Sequence, residues 1–331
     1  MKRETKAIGL DIGTSRIVSA KRANEQDQIN AQLNAFVTLP HSKLTESVFK
    51  NENVPYFVDG SEFVIYGNEA ARFANLFNRE TRRPMTRGVL NSNEPNSSAL
   101  IRRIITRILG ESAQEGVRLC FSIPGAPQDS PDDLTYHEKT LAQILSGLGY
   151  QVTSINEGLA VVLAELEKTN YTGVGISFGG GMCNVCMAYL SIPIFSFSVS
   201  KAGDFIDSSA ASVAGESVNR VRTLKEQSFH FNGFFGDQVK QALAVYYDEV
   251  IRLVVSGLKD ALTETRHAAP ADRPMPLVIS GGSSLPQGLV ECFQKCLADN
   301  NLGVHFSEIR TATDPLNATA KGALVAALAE M

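Results

Sequence analysis

Residues Gly175–Val185 read GISFGGGMCNV. A short apolar run enters three consecutive glycines and a small apolar run leaves them, which predicts two strands joined by a glycine turn. Glycines in such a turn let another group approach the backbone closely, and three in succession form a nest of amides with no side chains in the way. The stretch carries no carboxylate, so it brings no charge of its own to whatever it holds.

Two further turns share this arrangement. AIGLDIG (Ala7–Gly13) predicts a strand that runs into the turn DIGTSR, Asp11–Arg16, and RIVSAKR predicts the return strand of a hairpin. Gly13 frees that turn, the amides and hydroxyls of Thr14 and Ser15 can point at one anion, and Asp11 can hold a hydrated Mg²⁺ beside it. Late in the chain, PMPLVISGGSSL predicts a strand ending in SGGSS, Ser280–Ser284. A single glycine turn is most often a tight hairpin. Three, each directly after a predicted strand, point to a common ligand, with two facing hairpins clamping a polyphosphate through backbone amides. No GxxxxGK[ST] motif occurs, which argues against a P-loop fold.

The bulk properties are those of an ordinary soluble globular protein: 331 residues, 44% hydrophobic, 20% charged, net charge −4. The length predicts two or more packed units, and the charge gives no indication of nucleic-acid binding. A basic cluster, Arg79, Arg82, Arg83 and Arg87, reads as a solvated face. The start of the chain, MKRETKAIGL, has no apolar run suited to a signal peptide or membrane span, and the odd count of five cysteines suggests a reducing cytoplasm. Cys183 and Cys186 fall on opposite faces of a predicted strand, and Cys292 and Cys296 share a helix face. No second ligand pair with metal spacing occurs, so all five read as small buried hydrophobes.

Strand and helix patterns alternate throughout, which predicts an α/β architecture. Residues 22–33 are polar and read as a loop, followed by the strand-like runs FVTLP, VPYFVD and FVIYG. Helical spacing covers 68–77, with Asn68 as candidate N-cap, 99–109, and about 131–148, with Gly149 as C-cap. After the strand YQVTSIN, Asn156 caps a helix that begins at Glu157. IPIFSFSVS follows the glycine hairpin as a third strand. A helix then opens with Asp204 or Asp207 at its N-terminus. Further helices cover VNRVRTLKEQ, 237–265, GLVECFQKCL and the closing NATAKGALVAALAEM. The aromatic FHFNGFF (229–235) reads either as a contact loop for a next subunit or as a local satellite core. LDIGTSR and ISFGGGM lie about 165 residues apart, each after the first strand of its half, so the chain reads as a duplicated α/β unit with a cleft between the halves.

The order of these motifs resembles the actin-like ATPase superfamily, and within it the bacterial filament actins of the MreB and MamK type. GLDIGTSR resembles the first phosphate motif, YGNEA with RPMTRGVL the segments before the long helix, and SINEGLAVVLAE the connecting helix. ISFGGGMCNV resembles the second phosphate motif, KAGDFID the segment after it, VRTLKEQ the ribose helix, VISGGSSLPQGL the adenosine motif, and DPLNATAKGAL the C-terminal segment. The resemblance implies a duplicated ribonuclease H-like fold. Lobe I would span 1–155 with a small insertion at about 33–75. Lobe II would span 156–331 with an insertion at about 205–268, and the helix 317–331 would pack back on lobe I. The implied ligands are ATP or GTP with Mg²⁺. Asp11 would hold the metal through water. Gly13, Thr14 and Ser15, and from the other side Gly179, Gly180 and Gly181, would contact the phosphates. Glu157 would orient the attacking water. Gly203 and Asp204 would lie near the sugar, Lys225 and Glu226 would reach the ribose and base, and Gly281, Gly282 and Ser283 would pack against the adenosine.

The second phosphate motif departs from the family. Family members usually carry Asp where this chain has Ser177, and some carry another where it has Asn184. Losing one outer metal partner typically costs about 10–100-fold in metal affinity or activity, so slow or altered hydrolysis is expected. The resemblance implies a cytoplasmic protein that polymerises head-to-tail through a heterologous, non-closing contact. Its partners would be its own copies and cargo or membrane-protein adaptors. The polar N-terminus lacks the apolar membrane-binding residues of many MreB proteins. The alternatives are a non-polymerising adaptor like FtsA or PilM, and, ranked last, a sugar or acetate kinase of the same fold.

Overall fold

Each glycine hairpin belongs to its own five-stranded sheet, and the two sheets have the same topology. The computed structural model describes residues 7–23, 26–111, 113, 116–128, 134–231, 233, 235–265 and 274–329. Strand β1 (Ala7–Ile12) turns at Gly13 into β2 (Arg16–Ala23), which pairs with β3 (Gln26–Leu33). A small subdomain follows: β4 (Phe36–Pro40), helix α1 (Lys43–Asn51), β5 (Tyr56–Asp59), β6 (Glu62–Tyr66) and α2 (Asn68–Leu76). Its sheet order is β4-β6-β5, and it has a core of its own around Phe49, Phe63 and Phe73. The chain returns through a two-residue hairpin, β7 (Met85–Thr86) and β8 (Val89–Leu90), to α3 (Ser97–Leu109), β9 (Arg118–Ile123), α4 (Thr135–Ser146) and β10 (Gln151–Asn156). The first sheet has the order β10-β9-β1-β2-β3, with β9 parallel to both β1 and β10.

The second half opens with α5 (Glu157–Glu165) and the meander β11 (Gly173–Phe178), β12 (Cys183–Tyr189) and β13 (Ile192–Val199). Then come α6 (Gly203–Ala214), α7 (Val218–Ser228), α8 (Gln238–Glu264), β14 (Met275–Ser280), α9 (Leu289–Asp299), β15 (Phe306–Thr311) and α10 (Ala318–Ala329). The order β13-β12-β11-β14-β15 mirrors the first sheet: a three-stranded antiparallel meander on one side and two parallel strands on the other. This is the duplicated α/β fold that the sequence predicts.

The outer face of the first sheet packs against Ile101, Ile104 and Ile105 of α3 and Leu141 and Leu145 of α4. The outer face of the second packs against α6, α8 and α9 around Tyr247, Leu243 and Phe293. Between the sheets lie α5 and α10, both from the second half of the chain, which form a shared middle layer. The approach there is close. A Cβ added at Gly322 would sit 1.7 Å from the Ala160 carbonyl oxygen, and one at Gly9 would sit 2.1 Å from that of Ala320. Because α5 starts at the interlobe junction, Glu157 in its first turn is delivered to the floor of the cleft.

Several local expectations are corrected. The polar stretch 22–33 is mostly strand. Ile29 and Ala31 alternate inward onto the α10 layer while their neighbours face solvent, the period of an edge strand. SKLTESVFKN contains α1, capped by Ser42 Oγ, which accepts from Thr45 N at 3.1 Å. Gly67 rather than Asn68 caps α2, and Asn68 Oδ1 accepts from Leu33 N. Gly147 rather than Gly149 caps α4, whose observed start is Thr135; residues 131–133 lie outside the described ones. Phe229, Phe231 and Phe235 cluster on and around Tyr247, with ring centroids 5.0–5.8 Å apart, so this part of FHFNGFF joins the main core of the second half rather than a separate satellite; Asn232 and Phe234 lie outside the described residues. The five cysteines are free, and four of them are buried. Among the described residues no helix is long and apolar enough to cross a membrane.

Candidate functional site

The two hairpin tips face each other across the cleft. In the first turn, Gly13 N donates to Arg16 O at 2.9 Å. The fully buried Asn34 braces it, donating from Nδ2 to Gly13 O at 2.9 Å and from its backbone N to Ser15 O at 3.0 Å. In the second, Gly179 N donates to Met182 O. A Cβ at Gly180 would lie 2.3 Å from Ser15 Oγ, and one at Gly181 would lie 2.2 Å from Thr14 Oγ1. At Gly181 the backbone N of Gly88 would also lie 2.6 Å away, so a side chain there has no room, whereas at Gly180 the close neighbour is a serine hydroxyl that can rotate.

The carbonyls of the second turn are used within its own half. Gly179 O accepts from Gly203 N at 3.1 Å and from Ser283 Oγ at 2.8 Å, and Gly180 O accepts from Asp204 N at 2.8 Å. The start of α6 and the SGGSS turn are thereby fixed against the FGGGM turn. The amides are left over: the N–H groups of Thr14, Ser15, Gly180 and Gly181 meet no acceptor among the described residues. Thr14 and Gly181 are themselves buried. Buried unpaired amides are uncommon in folded proteins, and four of them on two adjoining turns make a candidate anion cradle.

Below the cradle lie two carboxylates. Asp11, at the end of β1, accepts from Ser122 Oγ at 2.7 Å. Glu157 Oε2 accepts twice, from Ser177 Oγ and from Asn184 Nδ2, both at 2.9 Å. Asn184 Oδ1 in turn accepts from Gly125 N, in the loop after β9, at 2.8 Å. Ser177 and Asn184 are thus neutral donors, and both aim at Glu157. Enclosure in the cleft floor pushes Asp11 up to about 6, against the Ser122 hydrogen bond and the Arg16 charge, which pull it down. It pushes Glu157 up to about 8, with the Asp11 charge adding to the effect. Two mutually repelling carboxylates beside an anion cradle form a donor set that suits a divalent cation. Among the described residues no group of three or more metal-binding side chains occurs. The fit is therefore to a cation that keeps waters and phosphate oxygens as most of its ligands, as Mg²⁺ does.

Above the tips the two halves are tied together. Arg83 Nη1 donates to both carboxylate oxygens of Asp204, at 2.8 and 2.7 Å, and Arg222 Nη2 approaches Asp204 at 3.5 Å. Arg83 is only 18% exposed at its side chain, so this member of the basic cluster is not part of a solvated face. A cavity of about 290 Å³ lies here, lined in part by Glu80, Thr81, Arg83, Asp204, Asn219 and Arg222. The structure separates Lys225 from Glu226. Lys225 is buried, with Nζ 2.8 Å from Asp207 Oδ1 and donating to Gly203 O at 3.3 Å, whereas Glu226 is exposed. Gly281 stands at φ 93°, its N–H donating to Pro315 O, with Gly282–Ser284 in a short 3-10 turn.

Four participants escaped the sequence reading. Asn34 is a polar residue at the end of what read as a loop, and Ser122 is an inward polar position in the apolar strand VRLCFSIPG. Arg83 was hidden among arginines, and Gly88 N, which donates to Thr14 Oγ1 at 3.0 Å, acts through backbone alone. Only Ser122 gave a local signal.

A family model described as Volactin matches residues 6–327, nearly the whole described chain. The chain belongs to the Volactin family. Solved structures show that its fold is actin-like. It is similar to a structure described as the MamK double helical filament, at 18% identity, with 98% of each chain covered and a TM-score of 0.72. It is similar also to MreB5 of Spiroplasma citri bound to AMPPNP, at 12% identity, 96% of this chain and 94% of that one, TM-score 0.66. A third is the ethanolamine utilization protein EutJ from Carboxydothermus hydrogenoformans, at 14% identity, 96% and 88% coverage, TM-score 0.56. At these identities the likeness is one of fold. No curated protein matches the chain at the sequence level.

Proposed function

We propose that this protein is an actin-like, nucleotide-binding cytoskeletal protein that assembles head-to-tail into filaments, with slow hydrolysis of ATP or GTP gating assembly. The observation that carries this reading is the set of four unpaired amides, Thr14, Ser15, Gly180 and Gly181, on adjoining turns of two different sheets. A ligand held by both tips fixes the relative tilt of the lobes, so occupancy is converted into shape. The likeness in fold to the MamK filament supports self-association, and the AMPPNP bound to MreB5 supports a nucleoside triphosphate as the ligand.

In this reading Gly13, Thr14, Ser15, Gly179, Gly180 and Gly181 hold the phosphates, and Asp11 faces a hydrated Mg²⁺. Glu157 positions the attacking water. Both donors to Glu157 converge on Oε2, which leaves Oε1 for that water. Gly203 and Asp204 lie on the sugar side, and Gly281, Gly282 and Ser283 on the adenosine side. For Lys225 the Asp207 pair favours holding the start of α6 over contacting the ribose directly. Bound Mg²⁺ supplies charge neutralisation of the phosphates.

Pelleting and negative-stain microscopy of the purified protein with Mg²⁺ and ATP, GTP, ADP or no nucleotide test the reading. Filaments dependent on a triphosphate are expected. Nucleotide binding by calorimetry without any polymer favours an adaptor of the same fold, and the absence of nucleotide binding overturns the proposal.

A further inference from the structure

The hairpin β7–β8 stands over both glycine tips. Its two-residue turn is Arg87–Gly88, with Met85 paired to Leu90 and Thr86 to Val89. Gly88 N donates to Thr14 Oγ1 of the first tip. On the second tip, a Cβ at Gly181 would lie 2.6 Å from Gly88 N, and a Cβ at Gly88 would lie 2.8 Å from Met182 Sδ. The turn of this hairpin is thus in contact with both halves of the anion cradle.

Both turn residues have left-handed backbone, φ 47° at Arg87 and 74° at Gly88. Such two-residue turns favour Asn, Asp or Gly at the first position, because a longer side chain is strained there. An exposed arginine in that place is an outlier, and strained residues concentrate where ligands are gripped. Its charge is also uncommitted. Arg79 donates to Thr38 O, Arg82 pairs with Glu94 and Arg83 with Asp204, while Arg87 makes no ion pair or hydrogen bond among the described residues. Of the other cations of the cleft, Lys225 is paired with Asp207, whereas Arg16, at the end of the first turn, makes no ion pair or side-chain hydrogen bond among the described residues and acts on Asp11 and Asp314 by charge alone. The amides of the cradle carry no full charge of their own, which leaves room for a second cation beside Arg16 to balance a polyphosphate.

We propose that Arg87 supplies that cation: the β7–β8 turn carries its guanidinium to the outermost phosphate of a polyphosphate seated on the four amides. This rests on the polyphosphate reading of the cleft. A guanidinium binds phosphate through directed, charge-assisted hydrogen bonds, and its seat on a turn touching both tips makes it responsive to the presence of a terminal phosphate.

The test uses the full chain with Mg²⁺ and compares wild type, Arg87→Gly, Arg87→Lys and Arg79→Ala by calorimetry with AMPPNP and ADP, and by melting temperature with inorganic tripolyphosphate. Without ligand, Arg87→Gly should melt at or above the wild-type temperature, because glycine accepts the left-handed turn without strain. It should lose about 10–100-fold in AMPPNP affinity with little change for ADP. Arg87→Lys should retain part of the preference, and Arg79→Ala all of it. Equal losses for AMPPNP and ADP, or AMPPNP affinity within about threefold of wild type, overturn the proposal. If the wild type takes no adenine nucleotide, the functional reading fails separately and the tripolyphosphate arm decides. A wild-type melting shift that is missing in Arg87→Gly upholds the role of Arg87, and no shift in the wild type overturns it.

Discussion

The glutamate at the cleft floor shows how one side chain can report on its neighbours. Glu157 is raised by burial and by Asp11, and lowered by the donors Ser177 and Asn184, with the first pair winning. A carboxyl whose folded pKa exceeds its unfolded value stabilises the fold fully at low pH and loses that contribution as pH rises through the folded value. Without metal or nucleotide, the wild type should therefore lose stability between about pH 4.5 and pH 8. Glu157→Gln should flatten that slope, so that the variant is the more stable protein above pH 8. Parallel melting curves for the two proteins across this range would show that the glutamate is not strained. Ser177→Asp is predicted to act oppositely. It sets a third carboxylate against Glu157 and Asp11, so the metal-free protein should melt lower. Mg²⁺ with a triphosphate should restore stability, and single-turnover hydrolysis should rise about 10–100-fold. No acceleration would mean that hydrolysis is not limited by the missing acid.

Among the elements, the paired helices α5 and α10 carry the largest steric demand. Packed helices normally keep their axes about 8–10 Å apart, and here the backbone of α10 lies against β1 and α5 with glycine facing an alanine carbonyl at each contact, Gly322 on Ala160 and Gly9 on Ala320. Gly322→Ala forces a methyl into the Ala160 carbonyl, and urea denaturation should show a loss of about 1–3 kcal/mol or more, against the small gain that alanine gives in an exposed helix. An unchanged or stabilised Gly322→Ala would mean that the two helices can slide apart. The edge strands β3 and β15 pose the opposite problem. Their polar residues face water, so FSEIRT and QDQINAQL carry weak apolar patterns, and pairing with a neighbour supplies what their own sequence lacks.

At the scale of the whole molecule, Arg83 and Asp204 form an ion pair that bridges the two lobes above the glycine tips. Arg83→Ala should widen the ligand-free cleft, seen as a larger radius of gyration in solution scattering, with about 1 kcal/mol lost in stability. Mg²⁺ with AMPPNP should close it again if both tips hold the same ligand. An unchanged radius would assign closure to the middle layer alone. The sequence by itself determined the duplicated α/β fold, the three glycine turns and the capped start of α5. Each of these is written in short-range patterns: apolar strands that run into glycine, and Asn156 followed by a helical apolar run. The tertiary structure alone decided which groups meet. Asn34, Ser122, Arg83 and Gly88 reach the cleft from separate elements. Ser177 and Asn184 prove to be donors to Glu157 only because β11, β12 and α5 converge on one point. The physical reason is that local propensity acts over a few residues, whereas hydrogen bonds such as Ser122 to Asp11 join positions 111 apart in the chain. Ser122 shows in its strand only as an inward polar position, and nothing in either strand names its partner.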